Sequence, residues 1–270
     1  MSDATAAGTG IGAAFEAARA EGRAALMPYV MGGFPDQETA TAVAGAYADA
    51  GADLIELGVP FSDPLADGPT IHAADTAALA AGATLESVLE TCAAVGERVP
   101  VALMVYANMV LATGPGEFAD RAAAARASGV IVPDLPLEEQ KPLREALCGR
   151  GLALIPLVAP TTPPERRARI CASAEGFVYL VSTVGVTGER ERLPDQLTDL
   201  IAAAKKEASV PVAVGFGIST PEQAATVGKI ADGVIIGTRL VRVVGEAGDR
   251  DAAVAAVTDF LRTARAALEG

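Results

Sequence analysis

The segment from residue 53 to residue 70, DLIELGVPFSDPLADGPT, joins a short apolar run to a loop rich in proline, glycine and aspartate. Apart from one glutamate the run is apolar on both faces, which is typical of a parallel strand buried between two layers. Similar runs recur along the chain, separated by alanine-rich segments of helical length. The full set lies at residues 26–31, 53–59, 101–107, 130–134, 152–158, 177–182, 211–215 and 233–237. Eight strands alternating with helices predict a closed α/β barrel, the (β/α)₈ or TIM barrel, and a doubly wound open sheet is the competing topology.

Two features lie outside the plain repeat. Residues 11–21 predict a short N-terminal helix that covers the bottom of the barrel. A long connection after the second strand predicts two extra helical segments, at residues 70–81 and 84–95, and long insertions are usually functional. No linker divides the chain, so we expect residues 1–270 to form one barrel domain whose first ten residues are mobile.

Composition and charge narrow the class of function. Acidic residues outnumber basic ones by 34 to 21 without any cluster of lysine or arginine, which disfavours nucleic acid as a partner. Cys92, Cys148 and Cys171 are widely spaced, which is typical of a reducing compartment, of buried apolar cysteines and of a chain without a zinc site. The sequence contains neither a signal-peptide pattern nor an apolar stretch long enough to span a bilayer. We therefore expect a soluble, cytoplasmic protein that binds no metal.

Glu56 stands on the second predicted strand, where a core residue is expected. The alternation of side chains places it on the same face as Leu54 and Gly58. Because burial favours the neutral form of a carboxyl group, this position suits a group that both takes and gives protons. A structural carboxylate satisfied by backbone amides or an arginine is the alternative. Asp63 and Asp67 follow in the loop and supply two further carboxylates.

Glycine-bearing turns follow the last three predicted strands. They are GVTG at residues 185–188, GFGIS at residues 215–219, and the pair Gly237 and Thr238. In barrel enzymes such loops, together with a helix N-terminus, commonly hold a phosphate through backbone N–H groups, and glycine lets the backbone approach the anion. Each turn alone is also consistent with a tight turn or a helix cap. Together they predict a phosphate site.

Other polar residues are candidates for the same end of the barrel. Tyr179 is predicted to point inward, where its hydroxyl faces a substrate or Glu56, or is a satisfied core hydroxyl. Tyr106 and Asn108 are predicted at the rim, after the third strand. The single histidine, His72, is predicted at the surface of a helix, so a Ser-His-Asp triad is disfavoured. The lysines all fall in predicted helices or at their ends, which disfavours Schiff-base catalysis.

The strings ELGVPFSDPLADGPTI, YANMV, VPDLPLEE, STVGVTGER, GFGIS and IIGT occur in this order, and from about Phe15 onward the sequence resembles the tryptophan synthase alpha subunit family. The resemblance implies a (β/α)₈ barrel that cleaves indole-3-glycerol phosphate to indole and D-glyceraldehyde 3-phosphate, a retro-aldol reaction without any cofactor in this chain. It also implies a partner, a beta subunit that carries pyridoxal phosphate and joins the indole to serine within an α2β2 heterotetramer.

The resemblance further implies roles for individual residues. Glu56 matches the general acid/base that protonates indole C3 and accepts the proton of the glycerol hydroxyl. Asp67 matches the carboxylate that binds the indole N1–H and stabilises positive charge on the ring. Tyr179 corresponds to the inward tyrosine beside the acid/base residue. Tyr29 falls where relatives often have phenylalanine against the indole ring, and Tyr106 is expected to bind substrate.

The same resemblance assigns the phosphate and partner positions. The phosphate would be held at Gly188, Gly217, Gly237 and Thr238, the last often serine in relatives. Thr187 lies in a loop expected to close over the substrate and contact Asp67. His72 stands where glutamine is common. The residues expected to face the beta subunit are Pro60, Asp63, Pro64, Asn108, Asp134 and Pro136.

Three alternatives remain open at this point. A stand-alone lyase of the same fold would release free indole without a partner. A phosphate-binding barrel isomerase acting on ribose-linked intermediates would rearrange its substrate instead of cleaving it. A catalytically silent activator of a beta subunit is disfavoured by the intact Glu56 and Asp67.

Overall fold

The structure, a computed structural model, describes residues 10–181, 195–215 and 217–270 of the chain. In these ranges nine parallel strands alternate with helices. The strands are β1 (Ala25–Met31), β2 (Ile55–Gly58), β3 (Val101–Met104), β4 (Gly129–Ile131), β5 (Ala153–Ile155), β6 (Leu157–Val158), β7 (Val178–Val181), β8 (Val212–Gly215) and β9 (Gly233–Ile236). The helices are α1 (Ile11–Ala20), α2 (Gln37–Asp49), α3 (Pro69–Ala80), α4 (Leu85–Val95), α5 (Ala107–Thr113), α6 (Pro115–Ala124), α7 (Lys141–Cys148), α8 (Pro164–Ala172), α9 (Asp195–Glu207), α10 (Pro221–Gly228), α11 (Thr238–Glu246) and α12 (Arg250–Glu269). The N-terminal segment expected to be mobile lies, up to residue 9, outside the described residues.

The strands close into a ring. Their order in the sheet is β5-β4-β3-β2-β1-β9-β8-β7-β6, so the sheet begins on β5 and ends on β6. These two strands are halves of one extended segment, interrupted at Pro156, which has no N–H to donate. The Pro156 carbonyl oxygen still accepts the N–H of Tyr179 at 3.0 Å, which joins the segment to β7. The predicted eight-stranded barrel is therefore confirmed, with its fifth strand broken in two, and the open-sheet alternative is wrong.

Glu56 lies on the inner face of the barrel, as the alternation predicts. In the sheet it is level with Tyr29 on β1 and with Ala102 on β3. Leu54 belongs to the buried cluster inside the barrel, whereas Ile55 packs outward against the helices. Full burial of such a side chain stabilises the fold by about 2 kcal/mol relative to exposure. A slip of one residue would exchange the two faces, so the packing strongly specifies the direction of Glu56.

Helix α1 closes the N-terminal end of the barrel, as predicted for residues 11–21. Ile11 and Phe15 lie four residues apart on one face of the helix and are buried in the interior cluster. The centre of the Phe15 ring lies 5.7 Å from that of Phe177 on the barrel interior. The interior is therefore packed at this end, and the carboxyl ends of the strands are left for a site.

The long connection after β2 forms the two predicted helices, α3 and α4, each within one residue of its predicted bounds. Residues 60–68, called the acidic loop below, connect β2 to α3. Within the described ranges no single helix is long and apolar enough to cross a membrane. Only α3 and α4 taken together reach that length and hydropathy, and they are bent by 106° at their junction.

The cysteines differ from one another in burial. Cys92 and Cys171 are buried, as predicted, but Cys148 is exposed, so the prediction of three buried cysteines is wrong for this residue. The physical reason is the position of Cys148 in α7. This helix buries Leu143 and Leu147, and Cys148 follows them on its outer side.

Candidate active site

A cavity of about 1070 Å³ opens at the carboxyl ends of the strands. The loops after the strands of a parallel barrel meet at this end, which is why residues distant in sequence share the cavity. The predicted catalytic and substrate-binding residues that line it are Tyr29, Glu56, Asp67, Tyr179, Gly217, Gly237 and Thr238. Tyr106 is not part of the lining and contacts Asp67 instead. Thr187 and Gly188 lie outside the described residues.

Glu56 is the deeply buried carboxyl group of this cavity. It is 2% exposed, and within the described ranges no group forms a hydrogen bond with its Oε2 atom. Burial raises the pKa of Glu56 to about 8, while a hydrogen bond from Tyr179 lowers this pKa and the charge of Asp67 raises it. Most buried side-chain oxygens in proteins have a hydrogen-bond partner, so an unpaired oxygen in a cavity is unusual. The group is therefore mostly neutral at pH 7, and it can donate a proton as well as accept one.

Two tyrosine rings lie beside Glu56, and each packs on a glycine at the end of the neighbouring strand. A Cβ atom on Gly58 would lie 2.1 Å from the Tyr29 hydroxyl oxygen, and one on Gly215 would lie 2.4 Å from the Tyr179 ring. Only glycine leaves room for the rings at these distances. Burial and the neighbouring carboxyl groups raise the pKa of both tyrosines, which keeps their hydroxyls protonated. The support that Gly58 gives to Tyr29 was not predicted.

Asp67 is held in the acidic loop by Tyr106. The Tyr106 hydroxyl donates to Asp67 Oδ2 at 2.8 Å and accepts the N–H of Ala66 at 3.0 Å. Burial raises the pKa of Asp67, while the Tyr106 hydrogen bond and the charge of His72 lower it. The carboxyl groups of Glu56 and Asp67 thus have different surroundings, one without a described partner for Oε2 and the other bound to a tyrosine hydroxyl.

Tyr106 and His72 occupy places that the sequence predicted only in part. The third strand ends at Met104, earlier than predicted, and Tyr106 precedes α5. At this end of the barrel Tyr106 is only 3% exposed and stacks on Phe61 with ring centres 5.0 Å apart, so it is a buried residue there. His72 is exposed on α3, as predicted, and its proximity to Asp67 is seen only in the structure.

Asp75 is a further residue of this region, which the sequence pattern did not predict as part of the site. It lies in α3, is 2% exposed, and its Oδ1 atom accepts the N–H of Phe61 at 3.2 Å. Burial raises the pKa of Asp75 to about 7, with the Phe61 N–H lowering this pKa and the charge of Asp67 raising it. A signal was present in the sequence. Asp75 shares the buried face of α3 with Ala74 and Ala78, where a carboxylate is unexpected.

The N-terminus of α11 lies at the cavity. Gly237 occupies its N-cap position without a side-chain cap, and Thr238 is its first residue; both line the cavity. Gly217, after β8, has a φ angle of 42°, a conformation that favours glycine. In the neighbouring helix α10, by contrast, the Thr220 hydroxyl accepts the N–H of Gln223. The first turn of α11 therefore suits an anion better than that of α10.

The residues predicted to face a partner follow strands at this same end of the barrel. The carboxylate of Asp134 accepts the N–H of Ala107 at 2.8 Å, which ties the loop after β4 to the start of α5. Asp134 therefore caps a helix that carries Asn108. The exposed members of the set are Asp63, Asn108, Asp134 and Pro136, while Pro64 is half-buried and Pro60 is buried.

Known proteins share this sequence and this fold. A family model described as tryptophan synthase alpha chain matches residues 15–268. The tryptophan synthase alpha chain of Prochlorococcus marinus (strain MIT 9313) is 49% identical over 235 residues, which are 86% of this chain and 86% of the relative. That of Carboxydothermus hydrogenoformans is 48% identical over 236 residues, 87% of this chain and 88% of the relative. A solved structure of Mycobacterium tuberculosis tryptophan synthase superposes with a TM-score of 0.89 at 36% identity, covering 96% of this chain and 98% of that chain. The chain therefore belongs to the tryptophan synthase alpha chain family.

Proposed function

We propose that Glu56 and Asp67 perform the chemistry of the alpha reaction of tryptophan synthase, which this enzyme catalyses. The reaction cleaves indole-3-glycerol phosphate to indole and D-glyceraldehyde 3-phosphate. The single observation that carries the proposal is the contrast between two carboxyl groups in one cavity. Glu56 is buried with an Oε2 atom that lacks a partner in the described ranges, and Asp67 is oriented by Tyr106. Two carboxyl groups in different surroundings can take different roles at one pH.

Glu56 fits both proton transfers of the reaction. Cleavage of the carbon–carbon bond needs a proton at indole C3 and the removal of a proton from the glycerol hydroxyl. With a pKa of about 8, the Glu56 carboxyl group is mostly neutral at pH 7 and donates the first proton. The resulting carboxylate accepts the hydroxyl proton while the electrons of the breaking bond return to the ring. Glu56 therefore ends the cycle as it began, in its neutral form.

Asp67 fits the electrostatic part of the reaction. Protonation at C3 places positive charge on the indole nitrogen, and a carboxylate that accepts the N1–H stabilises this charge. The hydrogen bond from Tyr106 helps to keep Asp67 ionised and holds its other oxygen in place. The rings of Tyr29 and Tyr179 line the same cavity and offer faces for the indole.

The phosphate group fits the part of the cavity that follows β8 and β9. We assign it to the N-terminus of α11, at Gly237 and Thr238, together with Gly217. The backbone N–H groups of a helix start carry partial positive charge and point at a bound anion. Thr187 and Gly188 remain assigned by resemblance alone.

The family functions with a beta subunit, and we extend this to the present chain. In an α2β2 heterotetramer the pyridoxal phosphate would belong to the beta subunit, which would receive the indole. The faces proposed for this contact are the exposed part of the acidic loop, the start of α5 with Asn108, and the loop with Asp134 and Pro136. Three free cysteines favour a reducing, cytoplasmic location.

The decisive experiment replaces Glu56 by glutamine, which has the same shape but transfers no protons. We expect Glu56→Gln to lower the kcat of indole formation by about 10²–10⁴-fold. The matched control is Glu175→Gln, because Glu175 accepts the N–H of Leu154 at the opposite end of the barrel. Folding of both variants is followed by circular dichroism. Unchanged indole formation by a folded Glu56→Gln variant would remove Glu56 from the mechanism.

The same assay, run with and without a beta subunit, separates the two lyase hypotheses. A stand-alone lyase turns over at full rate alone, whereas a subunit of the heterotetramer gains rate when its partner is added. Equal rates in both arms would contradict the proposed partnership.

A further inference from the structure

Asp75 is a buried carboxyl group that the proposed chemistry does not use. Its Oδ2 atom has no hydrogen-bond partner among the described residues. Anywhere in residues 10–181, 195–215 and 217–270, no group of three His, Cys, Asp or Glu side chains is arranged to hold a metal ion. A buried, incompletely paired carboxyl group in a helix costs free energy, so a compensating role is expected from the contact that it does make.

That contact is with the acidic loop. Asp75 Oδ1 accepts the N–H of Phe61 at 3.2 Å, three residues after the end of β2. The Phe61 ring stacks on the Tyr106 ring, with centres 5.0 Å apart. Tyr106 in turn binds Asp67 and the N–H of Ala66 at the other end of the loop. The loop is therefore anchored twice, by Asp75 at its start and by Tyr106 at its end, and the ring of Phe61 connects the two anchors.

We propose that Asp75 is a positioning residue, which holds the Phe61 N–H and thereby fixes the acidic loop so that Asp67 reaches the indole N1–H. This inference rests on the role proposed above for Asp67. Asp75 does not line the cavity, so its effect on the reaction passes through the loop. A small displacement of the loop moves Asp67 away from the ring nitrogen, and catalysis is sensitive to misplacement on the scale of 1 Å.

Two substitutions of Asp75 separate its hydrogen bond from its charge. Asp75→Ala removes the acceptor, whereas Asp75→Asn keeps an acceptor oxygen in the same place. We expect Asp75→Ala to lower kcat/KM for indole-3-glycerol phosphate about tenfold, and Asp75→Asn to lower it by less than about threefold. If Asp75→Ala does not fold, Asp75→Ser, with its shorter side chain, takes its place in every arm. A folded variant without the acceptor but with wild-type kcat/KM would overturn the inference.

The matched control is a carboxylate that binds the backbone at the other end of the barrel. Asp232 Oδ2 accepts the N–H of Val212 at 2.9 Å, at the start of β8. Asp232→Ala therefore removes a similar hydrogen bond and lowers stability without touching the acidic loop. Its kcat/KM is expected to stay within about twofold of the wild-type value. A loss equal to that of Asp75→Ala would mean that general destabilisation, not positioning, explains the effect.

A double-mutant cycle tests whether Asp75 acts through Asp67. In an Asp67→Asn background, Asp75→Ala is expected to lower kcat/KM by less than about twofold further, because the residue to be positioned is already impaired. A further loss of about tenfold would show independent action and overturn the inference.

Hydrogen exchange of the acidic loop gives a readout that does not depend on activity. Asp75→Ala is expected to raise the exchange rate of the Phe61 amide at least about tenfold, and Asp67→Asn to leave it unchanged. Unchanged exchange in Asp75→Ala would overturn the anchoring step. If Asp67→Asn alone keeps full activity, the proposed role of Asp67 fails, while the exchange data still decide whether Asp75 anchors the loop.

Discussion

The two ends of the barrel treat buried carboxyl groups differently. At the N-terminal end, Asp53 accepts hydrogen bonds from the guanidinium group of Arg23 at 2.6 and 2.8 Å and from the N–H of Leu26 at 2.7 Å. At the carboxyl end, Glu56 and Asp75 are each 2% exposed, yet each has one oxygen without a partner in the described part of the chain. The carboxylate of Asp53 is thus hydrogen-bonded on both oxygens, whereas the carboxyl groups of Glu56 and Asp75 are each only partly hydrogen-bonded.

This difference separates stability from reactivity. A buried carboxylate that is paired and fully hydrogen-bonded holds strands and helices in place, and breaking the pair is costly. A buried carboxyl group without a cationic partner has a raised pKa, which costs stability but prepares the group for proton transfer near neutral pH. The same residue type therefore supports folding at one end of the barrel and is suited to proton transfer at the other.

The largest loss of stability is expected from breaking the ion pair at the N-terminal end of the barrel. Arg23→Met removes the main partner of Asp53, whose side chain is 10% exposed, and leaves only Arg265 at 3.7 Å, so we expect the free energy of unfolding to fall by about 3 kcal/mol. Urea denaturation measures this change. Arg98→Met is the control, because Arg98 pairs with Asp49 at the exposed surface and its loss should cost less than about 1 kcal/mol. Equal losses in the two variants would contradict the importance of burial.

Asp67→Asn should lower activity and leave stability nearly unchanged, whereas a substitution at the N-terminal end should lower stability. We expect kcat/KM to fall about 10²–10³-fold, roughly 3–4 kcal/mol of transition-state stabilisation, with a melting temperature within about 2 °C of the wild type. Asp232→Asn, as the control, should lower the melting temperature and leave kcat/KM unchanged. Rate and melting temperature are measured on the same samples. A collapse of both quantities in Asp67→Asn would mean that Asp67 is a structural residue.

Burial of the Glu56 carboxyl group at the carboxyl end of the barrel should make the free energy of unfolding depend on pH. The pKa of Glu56 is raised from its ordinary value of 4.5 to about 8 in the folded protein. The unfolded chain therefore loses this proton first, and the contribution of Glu56 to stability falls as pH rises from about 5 to about 8. Glu56→Gln removes this loss, so the variant should be more stable than the wild type by about 3–4 kcal/mol at pH 8 and nearly equal at pH 4. Urea denaturation at pH 4, 6 and 8 tests the prediction, and a constant difference across this range would contradict it.

The smallest effect is expected at the proposed phosphate site. Thr238→Val removes a hydroxyl at the start of α11, and we expect KM for indole-3-glycerol phosphate to rise about tenfold with little change in kcat. Thr84→Val is the control, because the Thr84 hydroxyl caps α4, away from the cavity, by accepting the N–H of Ser87. It should cost about 1 kcal/mol of stability without a change in KM. A kcat effect in Thr238→Val with unchanged KM would argue against phosphate binding at this residue.

Much of the fold was predictable because its signals are local. The runs of apolar residues predict the strands, and the extra helices after β2 begin and end within one residue of their predicted bounds. The alternation of side chains along residues 53–59 predicts that Glu56 faces inward, and the structure confirms it. Gly217 and Gly237 lie at the cavity where a phosphate site was predicted.

The residues missed or misplaced depend on contacts between distant segments. The sequence predicts Tyr106 only as a rim residue after a strand. In the structure its hydroxyl binds Asp67, which is 39 residues away in sequence. In the sequence Asp75 is one polar residue in an alanine-rich helix. Its contact with Phe61 forms only because the chain turns back from β2 into α3. The fit of Tyr29 against Gly58 likewise requires the pairing of β1 with β2.

The sequence by itself determined which segments are strands and helices, which face of each strand is apolar, and to which family the motifs belong. Steric preference and hydrophobic periodicity act over a few residues, so they can be read without the fold. Only the tertiary structure decided which carboxyl groups are paired and which are left incomplete. Desolvation and hydrogen-bond partners depend on every segment that surrounds a group, and those segments come together only when the barrel closes.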